Sequence, residues 1–267
     1  MISARERTLN YVVLVVFAVY ALYPLVMIVD LAVSPDLSGD AAGGLANFEG
    51  AWEQGRFETY LRSSVVVSAL TVSIATFLSI LSGYAFGTMR FPGRAVLFWT
   101  MLIGIMVPTE AIVVPLYFDL RALDLTNTYV ALILPQVAQS VAFGTFWMRA
   151  YFLSSSRDVV EAARIDGAGH WQTLWRVLAP MGRPAIVTLT LLIFMWTWNE
   201  FLIPLVMVTS ENLRTAPLGL AFFQGQYTSG VALLAAGAVI VALPVVIVYL
   251  VLQRHFIQGI VEGSTKG

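Results

Sequence analysis

Two carboxylates, Glu110 and Glu200, stand inside long apolar runs, and a third, Glu161, lies in a short polar segment between two such runs. These are the positions where the chain could do chemistry. A carboxylate in hydrocarbon costs at least about 2.5 kcal/mol to insert, so Glu110 and Glu200 require a use. Each could couple a proton, line a path for a polar solute, or bond to neighbouring backbone. Around Glu200, the run Trp196-Thr197-Trp198-Asn199-Glu200-Phe201 sets aromatic faces beside hydrogen-bonding groups, the combination that a polyhydroxylated ligand requires. Trp196 and Glu200 are four apart and fall on one helical face. The other reading of this run has Asn199 and Glu200 bonding to a neighbouring helix, with the tryptophans marking a membrane interface. For Glu110, Pro108 and Pro115 offer a helix break at which the carboxylate finds backbone partners.

The polar segment runs Glu161-Ala162-Ala163-Arg164-Ile165-Asp166-Gly167-Ala168-Gly169-His170 and on to Leu178-Ala179-Pro180 and Pro184. Ser155 and Asp158 form a capping-box-like start, the hydroxyl satisfying an orphan amide and the carboxylate sitting at the positive helix end. The helix so begun is expected to run about three turns and to stop at Gly167, which suits the left-handed C-terminal position. Glu161 with Ile165, and Ala162 with Asp166, are spaced to share an outward surface, and the small Ala162 and Ala163 let that surface enter a groove closely. After the glycine turn, His170, Trp171, Leu174, Trp175 and Leu178 predict a second amphipathic helix at the membrane interface.

Several chemistries are excluded outright. The chain has no cysteine, its only histidines are His170 and His255, and neither can activate a serine inside a bilayer. No metal-ligand set can be assembled, and no bound cofactor is expected. Lys266 is the only lysine, so no phosphate-binding loop of the Walker type exists here; nucleotide chemistry, if any drives this chain, belongs to a partner. A net charge of -1, with the basic residues scattered through short loops, gives no footprint for nucleic acid.

The elements that position these residues are membrane spans. With 58% hydrophobic and only 12% charged residues, and a mean hydropathy of +0.80, the chain has the bilayer as its solvent. Six segments near 10–33, 63–88, 95–118, 128–152, 183–207 and 231–253 reach the roughly 20 residues that cross a hydrocarbon core of about 30 Å. The first run is too long for a cleavable signal and is expected to stay as a span. Ser79, Gly83 and Gly87 in the second span, and Ala238 and Ala242 in the sixth, have small-residue spacing that lets helices approach. Arg5, Arg7, Arg90, Arg94, Arg149, Arg157, Arg164, Arg176, Arg183, Arg254 and Lys266 fall on one side of such a six-span path. Arg56, Arg62, Arg121 and Arg214 fall on the other. That bias puts both termini and the 153–182 loop in the cytoplasm. Counting 1.5 Å per residue along straight helices places Glu110 about 24 Å beyond Arg94, and Glu200 about 25 Å beyond Arg183. Both carboxylates then stand in the outer half of the membrane.

The Glu-Ala-Ala, the Asp-Gly-Ala five residues on and the closing Pro resemble the EAA loop of binding-protein-dependent ABC importers. Trp198-Asn199-Glu200-Phe201 with Pro204-Leu205 is similar to a span of sugar permeases, and the tail from Gln253 resembles that of the maltose-type permease subunit. Ala179 departs from the usual Leu of the motif. The resemblance implies an all-α membrane protein with six transmembrane helices and a cytoplasmic coupling helix, the type I ABC importer permease fold, in one domain covering 1–267. It implies a non-enzymatic permease subunit of a bacterial inner membrane carbohydrate importer, paired with a second permease and two ATPase subunits that use ATP and Mg. An extracytoplasmic binding protein would deliver the carbohydrate, meeting the outer loop around 208–230 with its Glu211, Asn212, Arg214, Gln224, Gln226 and Tyr227. Carried over position by position, the motif puts Glu161, Ala162, Ala163, Asp166 and Gly167 at the ATPase interface. Glu200, Asn199, Trp196 and Glu110 are the candidate pathway residues. The competing expectation is a proton-coupled secondary carrier using Glu110 or Glu200.

Overall fold

The computed structural model describes residues 4–35, 42–155, 157–226 and 230–264, and among them every regular element is helical. In chain order these are α1 (Ala4–Val33), α2 (Ala46–Gln54), α3 (Phe57–Thr88), α4 (Arg94–Met106), α5 (Thr109–Ala122), α6 (Tyr129–Ser154) and α7 (Arg157–Ile165). There follow α8 (His170–Met181), α9 (Arg183–Asn199), α10 (Leu202–Met207), α11 (Ala216–Gln226) and α12 (Val231–Ser264). By length and composition, four of the described helices can each cross a membrane, and six crossings result if each of two bent pairs is one span.

The bends have local causes. Residues 95–118, expected as one span with a break offered by Pro108 and Pro115, are two helices meeting at 102°, because Val107 precedes Pro108 and is forced into an extended conformation with ψ 122°. The straight-helix depth derived for Glu110 therefore does not hold. Residues 183–207 divide as well. Pro204 cannot donate to the carbonyl of Glu200 and would clash with it, so α9 ends at Asn199 and α10 restarts at Leu202. A second sharp bend, 80°, joins α8 to α9 at Gly182. A Cβ there would stand 2.6 Å from the Tyr151 ring, and the Tyr151 hydroxyl donates to the Leu178 carbonyl at 3.0 Å. Pro135 interrupts α6 without breaking it. The Gln136 side-chain amide donates to the Leu132 carbonyl at 2.7 Å beside that interruption.

The contacts gather into two compact units, Met1–Glu58 with Gly219–Pro244 and Thr59–Leu218 with Val245–Gly267. In the first, Asn47 is fully buried and ties the end of α1 to α2, donating to the carbonyls of Ala32 at 3.0 Å and Ser34 at 2.8 Å. Its side-chain oxygen accepts from the Gly43 amide. Phe57 and Phe223 meet edge to face at 5.7 Å, with Gly237 against the Phe57 ring. Ala242 is exposed and Ala238 half-buried, and the small residues buried in this part of α12 are Ala232, Ala235, Ala236 and Gly237 instead of the expected pair.

The second unit is organised by a close seam between α3 and α6. Cβ atoms built on Gly83 and Gly87 would lie 2.5 Å from the Cβ of Met148 and 2.8 Å from that of Phe152. One on Gly144 would collide with Ser79. Three contacts four residues apart on each helix thus bring the backbones together, as the small-residue spacing predicts, and Ser82 and Thr145 share a hydrogen bond of 2.6 Å across the seam. Tyr84, Met148, Phe152, Leu174, Leu178 and Leu189 form the apolar core at one end. Val67, Val113, Leu132, Ile203 and Met207 form a second core. The chain beyond α10 is held by Asn127, whose Oδ1 accepts from the amides of Thr209 at 3.1 Å and Ser210 at 2.8 Å.

Gly83→Leu should open this seam and destabilise the protein by about 1–3 kcal/mol. Gly104→Leu, at a site with nothing within 4 Å of an added Cβ, should not. Thermal melts of both variants in detergent check the contrast, and equal melting would show that the seam is not under packing constraint.

Candidate coupling segment and polar cavity

The glutamate-bearing helix of the 153–182 loop is α7, and its ends are settled by backbone geometry. Ser155 does not cap it as expected. Its hydroxyl turns back to the Tyr151 carbonyl at 3.0 Å and finishes α6. α7 begins at Arg157, with Asp158 in the first turn, where a carboxylate is favoured by the helix dipole. Its C-terminus is a Schellman motif. Gly167 at φ +81° donates to Arg164 at 3.0 Å and Ala168 to Ala163 at 2.9 Å, satisfying the last carbonyls inside the chain.

The two faces of α7 are sharply different. Val160 packs on the apolar core and Ala163 is buried, so these two hold the helix down. Ala163, which the motif puts with Glu161 at the ATPase interface, lies on the inner face here, three residues from Val160. Glu161, Ala162, Asp166 and Gly167 are exposed together, and with them Ile165, which is 86% exposed. Ile165 was expected on this outward surface by its spacing from Glu161, although the motif itself does not include it. Its signal was there, an isolated branched apolar residue one turn from Glu161 with a charge on either side.

Behind α7, α8 is locked to α3. The Tyr84 hydroxyl shares a hydrogen bond of 3.2 Å with His170 Nδ1, and Phe77 stacks on Trp175 at 5.9 Å. Thr173–Leu178 forms a π-helical turn, a form concentrated at functional positions. Trp171 is 62% exposed, as an interfacial residue would be, whereas Trp175 is partly buried with its indole nitrogen unbonded. A cavity of about 730 Å³ next to α7 is lined by Arg90, Arg94, Glu161, Arg164 and His170.

Away from α7, a second cavity of about 530 Å³ gathers three of the four candidate pathway residues, Trp196, Asn199 and Glu200. Glu110 is not among them. It is exposed in the first turn of α5 beyond the 102° bend, and its neighbour Thr109 lines the cavity instead. Glu200 closes α9 with its ψ at 125°, which turns the chain after it out of the helix, and its side chain reaches the same space as Trp196 one turn earlier. Its Oε1 accepts the Ile203 amide at 3.0 Å and caps the start of α10, while the Asn199 side-chain amide donates to the Met195 carbonyl at 2.7 Å. Trp196 meets Phe143 edge to face at 4.8 Å.

Sequence reasoning passed over the α6 contribution to this cavity. Gln136 and Gln139 line it, and Gln139 donates to the Thr109 hydroxyl at 3.2 Å. Two amides three apart in an apolar span were the available signal. Hydrogen-bonding amides, a carboxylate and an indole around one cavity suit a neutral, hydroxyl-rich solute. Of the expected outer-loop residues, Glu211 accepts from the Tyr60 hydroxyl at 3.0 Å and the Asn212 carbonyl from Ser63 at 3.0 Å. The side chains of Gln224, Gln226 and Arg254, and all of Tyr227 and Lys266, lie outside the described residues.

Comparison with known proteins places these features in context. Residues 75–262 match the family described as the binding-protein-dependent transport system inner membrane component. The chain is 39% identical over 221 residues to the probable ABC transporter permease protein YurM of Bacillus subtilis, covering 83% of this chain and 73% of that one. It is 30% identical over 274 residues to the trehalose transport system permease protein SugB of Mycobacterium tuberculosis, covering 99% of this chain and 100% of that one. Among solved structures, a chain of a bacterial ABC transporter involved in the import of the acidic polysaccharide alginate superposes with a TM-score of 0.77. The identity is 25%, over 96% of this chain and 99% of that one.

Glu200→Ala should remove the cap of α10 and lower stability by about 0.5–2 kcal/mol, whereas Glu200→Gln, which keeps an acceptor, should melt close to the parent. Unfolding followed in detergent checks this, and identical losses in both variants would mean that charge, not capping, holds Glu200 in place.

Proposed function

Since the chain belongs to the family of binding-protein-dependent transport system inner membrane components, we propose that it is the carbohydrate-import permease subunit that receives ATPase motion through α7. The family is one of multi-pass ABC permease components, not of enzymes. The observation that carries the proposal is the outward face of α7, where Glu161, Ala162, Ile165 and Asp166 are exposed on a helix closed at its far end by Gly167. A short helix with a charged rim and one free branched apolar residue is built to enter a groove on another protein.

In this reading a pair of ATPase subunits, which would use ATP and Mg, sits on the cytoplasmic side with both termini of this chain. A second, related permease completes the pathway, and an extracytoplasmic binding protein delivers solute. Closure of the ATPase pair would move α7, and the Tyr84 to His170 bond and the Phe77 to Trp175 stack would pass that motion to α3. The close α3–α6 seam would carry it on towards Gln136 and Gln139. Carbohydrate as the solute class is supported by the trehalose system relative and by the amide and indole lining of the 530 Å³ cavity. Trp196, Asn199 and Glu200 would line the pathway there. A proton-coupled carrier finds no support, because Glu110 stands apart and Glu200 is engaged in capping.

Glu161→Lys should reduce uptake to background and release the ATPase during affinity purification, with the amount of protein in the membrane unchanged. Uptake at the parental rate would remove α7 from the coupling role. Orientation is open to a clean test because the chain has no cysteine of its own. Asp166→Cys should react with an impermeant maleimide only in inside-out vesicles, and Leu45→Cys, at a residue 84% exposed, only in right-side-out cells. The reverse labelling would invert the topology.

A further inference from the structure

At the α7 end of the second unit, an open groove of about 810 Å³ runs between the start of α4 and the end of α6. Its walls are Phe91, Phe98, Trp99 and Phe146, and among the described residues the charged groups lining it are Arg94 and Arg149, with no carboxylate. We propose that this groove binds an anionic phospholipid, with the phosphate on Arg149 and an acyl chain along Trp99 and Phe146.

The two arginines are in different situations. Arg94 is occupied: its guanidinium donates to the Met89 carbonyl at 3.0 Å and to the Phe86 carbonyl, closing the C-terminus of α3. Arg149 is not so matched. Its guanidinium carbon lies 4.3 Å from the centre of the Phe98 ring, and its Nε is buried with no acceptor. A ring face offsets part of the desolvation of a cation but accepts none of its directed N–H bonds. Among the described residues lining the groove, none offers this guanidinium a counter-charge, which a cation on a membrane helix requires.

The surroundings select the source of that counter-charge. Trp99 is 62% exposed, Val96 70% and Phe146 46%, so the groove opens through an apolar, indole-bearing wall of the kind that meets the headgroup level of a bilayer. A free phosphate ion would match the guanidinium and leave that wall unused. A phospholipid matches both, its phosphate accepting two parallel N–H bonds from the planar fork while its chain covers the aromatic residues. The groove shares Arg94 with the 730 Å³ cavity beside α7, but it shares no lining residue with the 530 Å³ cavity and none of Glu161, Ala162, Ile165 or Asp166 lines it, so its occupancy does not depend on the transport reading.

The test uses the full-length chain, purified in mild detergent with its accompanying subunits, stripped of lipid and offered phosphatidylglycerol, phosphatidylcholine or inorganic phosphate. Native mass spectrometry and thermal melts are the readouts. The parent should retain phosphatidylglycerol in about tenfold preference to phosphatidylcholine and be stabilised by it, and Arg149→Gln should lose that preference. Arg149→Lys, which keeps the charge without the fork, should retain a weaker preference. Equal retention of the two lipids by the parent, or an unchanged preference in Arg149→Gln, would overturn the proposal, and the parental comparison decides even if the variant does not fold. Equal stabilisation by inorganic phosphate, or loss of a subunit in place of lipid from Arg149→Gln, would overturn it too. None of these failures touches α7, whose role is read separately from Glu161→Lys.

Discussion

Hydrocarbon offers no hydrogen-bond partner to a peptide group, and the consequences of that constraint run through the whole chain. A helix in this solvent is cheap as long as it is continuous. Every interruption must be answered from within the protein, and this protein interrupts its helices repeatedly. Glu200 answers for the start of α10, the Tyr151 hydroxyl for the bend after α8, Arg94 for the end of α3 and Asn127 for the strand of backbone after Met207. The residues that looked most like chemistry in the sequence are thus partly answers to a structural problem. That does not remove them from a pathway, because a break in a helix is also where polar groups gather at membrane depth.

The seam between α3 and α6 explains how distant features share one framework. With backbones this close, Ser79, Gly83 and Gly87 leave little room for the helices to shift independently. At one end, α6 carries Gln136 and Gln139 to the polar cavity, and towards the other Tyr151 and Phe152 pack beneath α7 and α8. The Arg149 guanidinium stands on the same helix, facing the aromatic groove. Cavity, groove and α7 are consequently arranged along a single rigid element.

Much of this was legible in the sequence, for identifiable reasons. Long apolar runs reveal spans because composition and length suffice, and Gly167 reveals the end of α7 because only a few residues adopt its backbone angles readily. Small-residue spacing disclosed the seam. What failed was anything that required three-dimensional direction over a break. Pro108 signalled an interruption, but not that the chain would turn by 102° and carry Glu110 away from the cavity. Ser155 has the right type to accept an amide as a cap, yet its hydroxyl donates back to the Tyr151 carbonyl of α6. Ala163 belongs to the motif that suggests docking, but a nine-residue helix must also hold itself down, and one side of it is used for that. Gln136 and Gln139 were overlooked because uncharged amides do not stand out in an apolar run as carboxylates do.

The π-helical turn at Thr173–Leu178 is in effect a one-residue insertion absorbed without breaking α8. Each residue added to an α-helix rotates everything after it by roughly 100°, so length and facing are normally inseparable. Here the wide turn uncouples them, keeping His170 on Tyr84 and Gly182 on Tyr151 at the same time. The segment is therefore the place where the chain can gain or lose a residue and remain in phase. In α9 the same change would swing Trp196 and Asn199 out of the cavity, which makes an indel-tolerant stretch of the loop and an indel-intolerant helix direct neighbours in the chain.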